Sequence, residues 1–384
     1  MKAFRHIFAL FAAAGLLVGG EPQLHREGAS WVQTTNGSEF LGEGSQLKIV
    51  CLGNVTVKGA SREQATYSLT RRVRAGSEAQ ARDIFQEATV AFTRQGRLAR
   101  LVVGDDAGPV DLQLTVPRNI RTVFVHTESG RVDISDIDGQ ASAESGAGKI
   151  TVSRVKGGVE VRSAGGKVQM SQIGGSARVI SAGDDIVADS IGGDATLETG
   201  GGNITVQKVG GGIHANTGGG TIRIGEAGGA VIANTMGGQI DIGQAGGTVS
   251  ARNSGGGPIQ IGSATTVRCE NASGAIRVGS LNGAMRVSTA SGSVIAQLLG
   301  DRLVGDSFVS TGSGDITVYV PSNLGVTVQA QNEGSGRTRS IVSDFPGLNI
   351  RSQGVTVTAR GAINGGGPVL RIQCTGGMIW IKKK

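Results

Sequence analysis

Residues 163–180 read SAGGKVQMSQIGGSARVI, and residues 199–216 read TGGGNITVQKVGGGIHAN. The two stretches correspond place for place over 18 residues, and the correspondence extends in both directions. Units of this length begin at Thr127, Ser145, Ser163, Ser181, Thr199, Thr217, Thr235, Asn253, Asn271 and Thr289. Their first place is Ser, Thr or Asn in all ten, and their fourth is Gly in nine, with Asp184 the exception. The sixth is Ile or Val in nine of ten, with Pro258 the exception. The thirteenth is Gly in eight of the nine complete units, and the fifteenth and seventeenth are always apolar. A fixed period of this kind is the signature of a stacked-repeat architecture.

Elementary geometry turns the pattern into a shape. Apolar residues at places six and eight, and again at fifteen and seventeen, alternate with period two, so each unit holds two short strands with one buried face. The glycines at four and thirteen precede the strands and suit corners that need positive φ or close backbone approach. A single unit cannot bury its apolar face, but stacked units can, with Ile204 over Ile186 and under Ile222. The expected fold is all-β: a single-chain β-solenoid, or parallel β-helix, of 18-residue rungs over residues 127–320. The polar first place, occupied by Ser145, Ser163, Ser181, Thr199, Thr217 and Thr235, reads as a structural ladder bonding along a corner. A water-ordering face would need a wide flat array, which one column does not make. Two irregularities interrupt the register. GGGPIQI shifts the apolar pair to Ile259 and Ile261, with a compensating loss near Thr265. A slip after Thr289 implies a protruding loop around Asp301–Ser307.

Composition agrees. The chain has 384 residues, 66 of them Gly and only 7 Pro, which excludes collagen. Hydrophobic residues make up 38%, too many for a disordered linker, and aromatics only 3%, too few for an ordinary aromatic core. The formal charge is +7, but the excess lies at the two ends of the chain and forms no clustered nucleic-acid footprint. Cys51, Cys269 and Cys374 are odd in number and far apart, so they build neither a disulfide framework nor a zinc site.

The flanks differ from the repeat. Residues 1–20 carry Lys2 and Arg5 before an apolar run from Ile7 to Val18, a signal-peptide pattern too short to span a bilayer. No Cys follows Gly20, so the pattern lacks a lipoprotein anchor, and no later segment is apolar enough to span. The expected location is therefore exported: periplasm, cell surface or extracellular. Residues 21–126 read as a small N-terminal α+β cap. Its one helix is expected over 77–96, with Ser77 as N-cap, Gln80 completing a capping box, and a stripe of Ala81, Ile84, Phe85, Ala88 and Phe92. Residues 321–384 read as a terminal rung and a closing β-hairpin, with the tail 363–384 forming two strands around a Gly turn. A leader, a strand–helix–strand lead-in, a Gly-punctuated solenoid and the GGGP motif of Gly365–Pro368 come in that order. Over residues 45–384 the chain resembles the bacterial putative-adhesin family of repeated β-strand proteins. That resemblance implies a cell-envelope β-solenoid and offers no catalytic residues to carry over.

The functional reading follows from what the residues offer. A non-enzymatic adhesive or structural surface protein is expected, with protein, matrix or glycan ligands. A polymerising envelope scaffold, associating end to end, is the first alternative, and a polysaccharide-acting β-helix enzyme the second. The acidic group Asp184, Asp185, Asp189 and Asp194 is the one candidate for Ca²⁺ or acid–base chemistry. Asp184 and Asp185 are adjacent, however, and neighbouring rungs repeat no carboxylate column. The RTX pattern fails because its Asp place holds Ile, Val or Ala. No cofactor motif is present: the Gly runs lack the Lys-Ser/Thr and the helix of a phosphate loop. His6, His25, His126 and His214 are isolated. Residues 127–307 contain no Phe, Tyr or Trp, which disfavours stacking on single-stranded nucleic acid. A glycan site is expected at the ends, near Trp31, Tyr67 or Trp380, although Trp380 also suits packing within the terminal hairpin.

Overall fold

The computed structural model describes residues 23–87, 90–104, 108–300, 303–334 and 340–384. The signal-peptide expectation falls on residues outside these, as do Asp301 and Arg302 of the inserted loop. Two compact units divide the chain after Gly139.

In the second unit, each turn of chain supplies one strand to a front sheet and one to a back sheet. The front sheet begins with Gln140–Ser145, Val159–Ser163 and Ala177–Ser181, and the back sheet with Ile150–Val155, Val168–Ile173 and Ile186–Ile191. Strands of consecutive turns pair in parallel at an offset of one repeat: Ala195 opposite Ile213, and Ile186 opposite Ile204 opposite Ile222. The inward residues of both sheets, Ile, Val, Leu and Ala for the most part, are almost wholly buried. The parallel β-solenoid is thus the observed fold, with a core built by stacking like on like. Where the sequence inserts a residue at Pro258, Ile240 pairs with Ile259; Ile259 then pairs with Ile276, and the register is restored.

The corners explain the glycines. At Gly148 and Gly166 the fourth place has φ of 110° and 119°. From Asp184 through Gly202, Gly220 and Gly238 it leaves the left-handed region, and at Gly256, Gly274 and Gly292 it returns to 145°, 128° and 135°. Asp184 therefore stands where the corner changes conformation, because an L residue with a Cβ avoids the positive-φ form. In the intervening turns close stacking takes over as the constraint. A Cβ on Gly220 would overlap the carbonyl of Gly202, whereas one on the neighbouring Gly219 would meet nothing.

The C-terminal part of this unit departs from chain order. The front strand Ser307–Ser313 pairs with Val369–Cys374, which pairs in turn with Val326–Asn332. The back strand Ile316–Val320 pairs with Ile379–Lys383, which pairs in turn with Ile341–Ser343. All four pairings are parallel. The tail is therefore not a hairpin: its two strands lie in different sheets and form one complete turn, inserted between turns made earlier in the chain. A closing hairpin does exist, formed by Asn349–Gln353 and Thr356–Ile363, the latter antiparallel to Val326–Asn332. It covers the last parallel edge of the front sheet, while the back sheet ends on the three-residue strand Ile341–Ser343. Hairpins and very short strands blunt the edges that end-to-end pairing would need.

The first unit uses the same device. The strands Gln46–Cys51 and Gly53–Ala60 form a turn whose parallel partners are Leu98–Val103 and Val110–Pro117 on one side, and Thr122–Thr127 and Val132–Ile137 on the other. Antiparallel strands continue each sheet: Val90–Gln95 on Leu98–Val103, and Gln64–Val73, Ser30–Phe40 and Gln23–Glu27 beyond Val110–Pro117. The helix is shorter than expected, spanning Glu78–Glu87 with Ala81 and Phe85 buried. Gln80 N–H donates to Ser77 Oγ at 3.3 Å and Gly76 N–H to Gln80 Oε1 at 2.9 Å. Phe92, placed in the helical stripe by its spacing, belongs instead to the strand Val90–Gln95, where antiparallel pairing with Leu98–Val103 overrides the local periodicity.

Gly220 and Gly219 form a matched pair, one closed by the preceding turn and one open. Gly220→Ala is expected to lower unfolding stability by about 2 kcal/mol or more, and Gly219→Ala to change it by no more than about 0.5 kcal/mol. Urea titration of the two variants checks this; equal effects would break the stacking account. The cysteines provide a second check on the core. Burial pushes the Cys269 thiol up to about 12 and the Cys51 thiol up to about 11. Both are expected to resist a thiol-specific chromogenic reagent at pH 8 in the native protein and to react in full once it is unfolded.

Candidate functional site: an arginine column on the front sheet

The ladder residues are buried and bonded to backbone. Ser145, Ser163 and Ser181 donate to carbonyls of their own turn, at Ala147, Gly166 and Asp184. Thr199, Thr217 and Thr235 donate to corner carbonyls of the preceding turn, Asp184, Gly202 and Gly220, at 2.7–2.9 Å. The hydroxyls thus hold the corner backbone inside the fold and offer nothing to solvent.

The acidic group is spread apart. Asp184 and Asp185 sit at one corner, Asp189 on the exposed back sheet and Asp194 at the opposite corner. Asp185 Oδ1 accepts the N–H of Asn203 at 2.8 Å, and Asp194 Oδ1 that of Gly212 at 2.8 Å. Asn203 passes the pattern on by accepting Thr221 N–H at 2.8 Å. These carboxylates therefore act as caps for backbone donors one turn further on. Among the described residues no group of three or more His, Cys, Asp or Glu is placed to hold a metal ion. Asp185→Ala is expected to cost about 1 kcal/mol through the lost bonds, and saturating Ca²⁺ to leave the melting temperature of the wild-type protein unchanged.

The outward side chains of the front sheet form columns, because strands in register place equivalent residues side by side. Arg268 lies opposite Arg286, Arg286 opposite Phe308, and Phe308 opposite Arg371. The three arginines are exposed and Phe308 is half-buried. The Arg286 guanidinium lies 5.7 Å from the Phe308 ring centroid, a cation–π contact that holds the fork in place. None of the three makes an ion pair among the described residues. The nearby carboxylates are engaged elsewhere: Glu270 binds Arg252 at 2.6 Å, and Asp306 accepts Val369 N–H at 2.8 Å. Thr266, Ala284 and Ser307 complete a shallow open groove around the column. Arg360 and Arg351, on the closing hairpin, add exposed cations two and three strands beyond Arg371.

The back sheet of the same turns carries aromatics. Trp380 lies between Thr317 and Val342, and Tyr319 is opposite Lys382. Lys382 Nζ stands 5.3 Å over the Trp380 ring. Trp380 is therefore on an outer face, with part of its ring in solvent, and not in the packing of a hairpin. In the first unit, Trp31 lies under the Arg26 guanidinium at 5.9 Å. Tyr67 is buried where the lack of a side chain at Gly37 makes room for its ring. Burial, with Glu39 adding to it, pushes the Tyr67 phenol above its ordinary range. His214 pairs with Asn216 at 3.0 Å. No helix among the described residues is long and apolar enough to cross a membrane.

Spacing in the sequence does not reveal the arginine column, because Arg286, Phe308 and Arg371 are neighbours only through the register slip and the inserted tail. The repeat does pair Arg268 with Arg286, since both stand at the sixteenth place of consecutive units.

Fold and surface together define a parallel β-solenoid with blunted sheet edges and a cationic outer column. No family model and no curated protein matches the sequence. Solved structures similar to it include a putative cell adhesion protein from Clostridium sporogenes, at 10% identity over 91% of this chain and 100% of that one, with a TM-score of 0.17. A putative adhesin from Bacteroides fragilis is similar at 11% identity, 91% and 97% coverage and a TM-score of 0.24. A putative lipid binding protein from Parabacteroides distasonis is similar at 8% identity, 91% and 96% coverage and a TM-score of 0.20. With superpositions this partial, no role passes from these proteins to this chain.

Proposed function

We propose that this chain is an exported, non-enzymatic surface β-solenoid that adheres to an acidic polysaccharide along the front sheet of its C-terminal turns. The observation that carries the reading is the column Arg268, Arg286 and Arg371, exposed and without acidic partners among the described residues. Strand spacing of about 4.8 Å puts Arg268 and Arg286 one step apart and Arg286 and Arg371 about 10 Å apart. A planar guanidinium presents paired donors that match carboxylate or sulfate oxygens. Phe308, between the last two cations, offers an apolar edge for a sugar ring. A rigid, regular sheet holds these groups in line before the ligand arrives, which lowers the ordering cost of binding. The caps made by Asp185 and Asp194 support a non-catalytic role, since those carboxylates are committed to backbone donors. The leader pattern of residues 1–20 supports export.

Calorimetric titration with alginate or heparin tests the reading. Binding is expected to weaken steeply with salt. Arg286→Gln or Arg371→Gln should each weaken it about tenfold, the loss of one charge-assisted contact, with no shortening of the polymer over long incubation. Binding that neither substitution weakens would remove the column from the site. Shortening of the polymer would replace adhesion with catalysis.

A further inference from the structure

We infer that the C-terminal tail, residues 365–384, is an exchangeable turn: the slot it fills accepts the same tail from a second copy of this chain, and that second copy then supplies Arg371 to the front-sheet column. The inference goes beyond the adhesive reading, and its test needs no polysaccharide.

The slot is specific. The tail strands pair on both sides, with Ser307–Ser313 and Val326–Asn332 in the front sheet and with Ile316–Val320 and Ile341–Ser343 in the back sheet. Leu370, Ile372, Ile379 and Ile381 are fully buried there. An aspartate of the body meets an N–H at the start of each tail segment: that of Val369 is met by Asp306 at 2.8 Å, and that of Met378, just before the second strand, by Asp315 at 2.8 Å. Asn332 Nδ2 donates to Gly377 O at 2.6 Å. An empty slot would leave parallel edges unpaired on four strands at once, so some tail must occupy it.

The connection is built to pivot. Asn364 stays with the body, its Nδ2 donating to Ser322 O and Leu324 O at 2.8 and 2.9 Å. Next come Gly365 and Gly366, both at φ 82°, and then Gly367 and Pro368. Three glycines can take up an extended path at little steric cost. The tail also joins the fold out of chain order, between turns that precede it in sequence. The turns up to Ile316–Val320 stack on one another without it, and during folding the slot of a neighbouring copy is chemically identical to its own. Exchange of an identical element between copies conserves every bond except those of the hinge.

The native thiol of Cys374 makes the exchange readable. Cys374 lies opposite Thr311 in the register of Ser307–Ser313 with Val369–Cys374, a neighbour separation that a disulfide can bridge. In the full-length Thr311→Cys variant, oxidation links the tail to whichever body holds it. After refolding over a concentration series, non-reducing gels are expected to show a covalent dimer whose fraction rises with protein concentration. Adding Cys374→Ser should abolish it. An intramolecular link at every concentration, with no dimer, would overturn the proposal. Should the variant fail to fold, the unsubstituted chain answers the same question. Isotopically heavy and light copies refolded together should give mixed dimers by native mass spectrometry, and monomers alone at the highest concentration would overturn it.

Discussion

Every turn of the second unit must lie one strand spacing from the next. At about 4.8 Å, the corner of one turn sits against the corner carbonyl of the turn before, and at Gly202, Gly220 and Gly238 there is no volume for a Cβ. The abundance of glycine follows from that spacing more than from flexibility. So does the burial of Thr199, Thr217 and Thr235, whose hydroxyls satisfy carbonyls that the turning chain would otherwise leave unpaired. Asp185 and Asn203 do the same for donors at the start of back-sheet strands. What looks in one dimension like an acidic cluster is, in three, backbone satisfaction distributed over successive turns.

Parallel stacking also creates a problem at its limits, since the outermost turn exposes a row of unpaired donors and acceptors. The chain answers with antiparallel strands. In the second unit Thr356–Ile363 runs against Val326–Asn332, and Asn349–Gln353 covers that in turn. In the first, Val90–Gln95 and Gln64–Val73 play the corresponding parts. Antiparallel neighbours tolerate a solvated face better than parallel ones do. The change of direction therefore marks where the repeat stops being able to protect itself.

Legibility in the sequence tracks how local the determining contact is. Places six, eight, fifteen and seventeen recur because each inward residue meets its own equivalent one turn away. The period thus predicts both the strands and their partners, down to the shift at Pro258. The inserted turns escape the same reasoning. Val369–Cys374 shows the alternation of a strand, but its partner lies 63 residues earlier on one side (Ser307 with Leu370) and about 40 on the other, and no periodicity links them. The helix ends earlier than its apolar spacing predicts for a related reason. Ala88 and Phe92 continue an apolar spacing, while the residues that decide the state of Val90–Gln95 are those of Leu98–Val103 across a turn.

The arginine column inherits this illegibility because half of it depends on the insertion. Arg268 and Arg286 come from consecutive turns, Phe308 follows a register slip, and Arg371 arrives with the tail. The inserted turn sets Arg371 between Phe308 and Gln329. The same turn places Trp380 and Lys382 on the back sheet. A single segment of chain, held by main-chain bonds on both edges, thus furnishes Arg371 on one outer face and Trp380 and Lys382 on the other. The rest of the solenoid contributes a stiff, nearly charge-balanced body, so the chemistry is concentrated where the topology departs from the repeat.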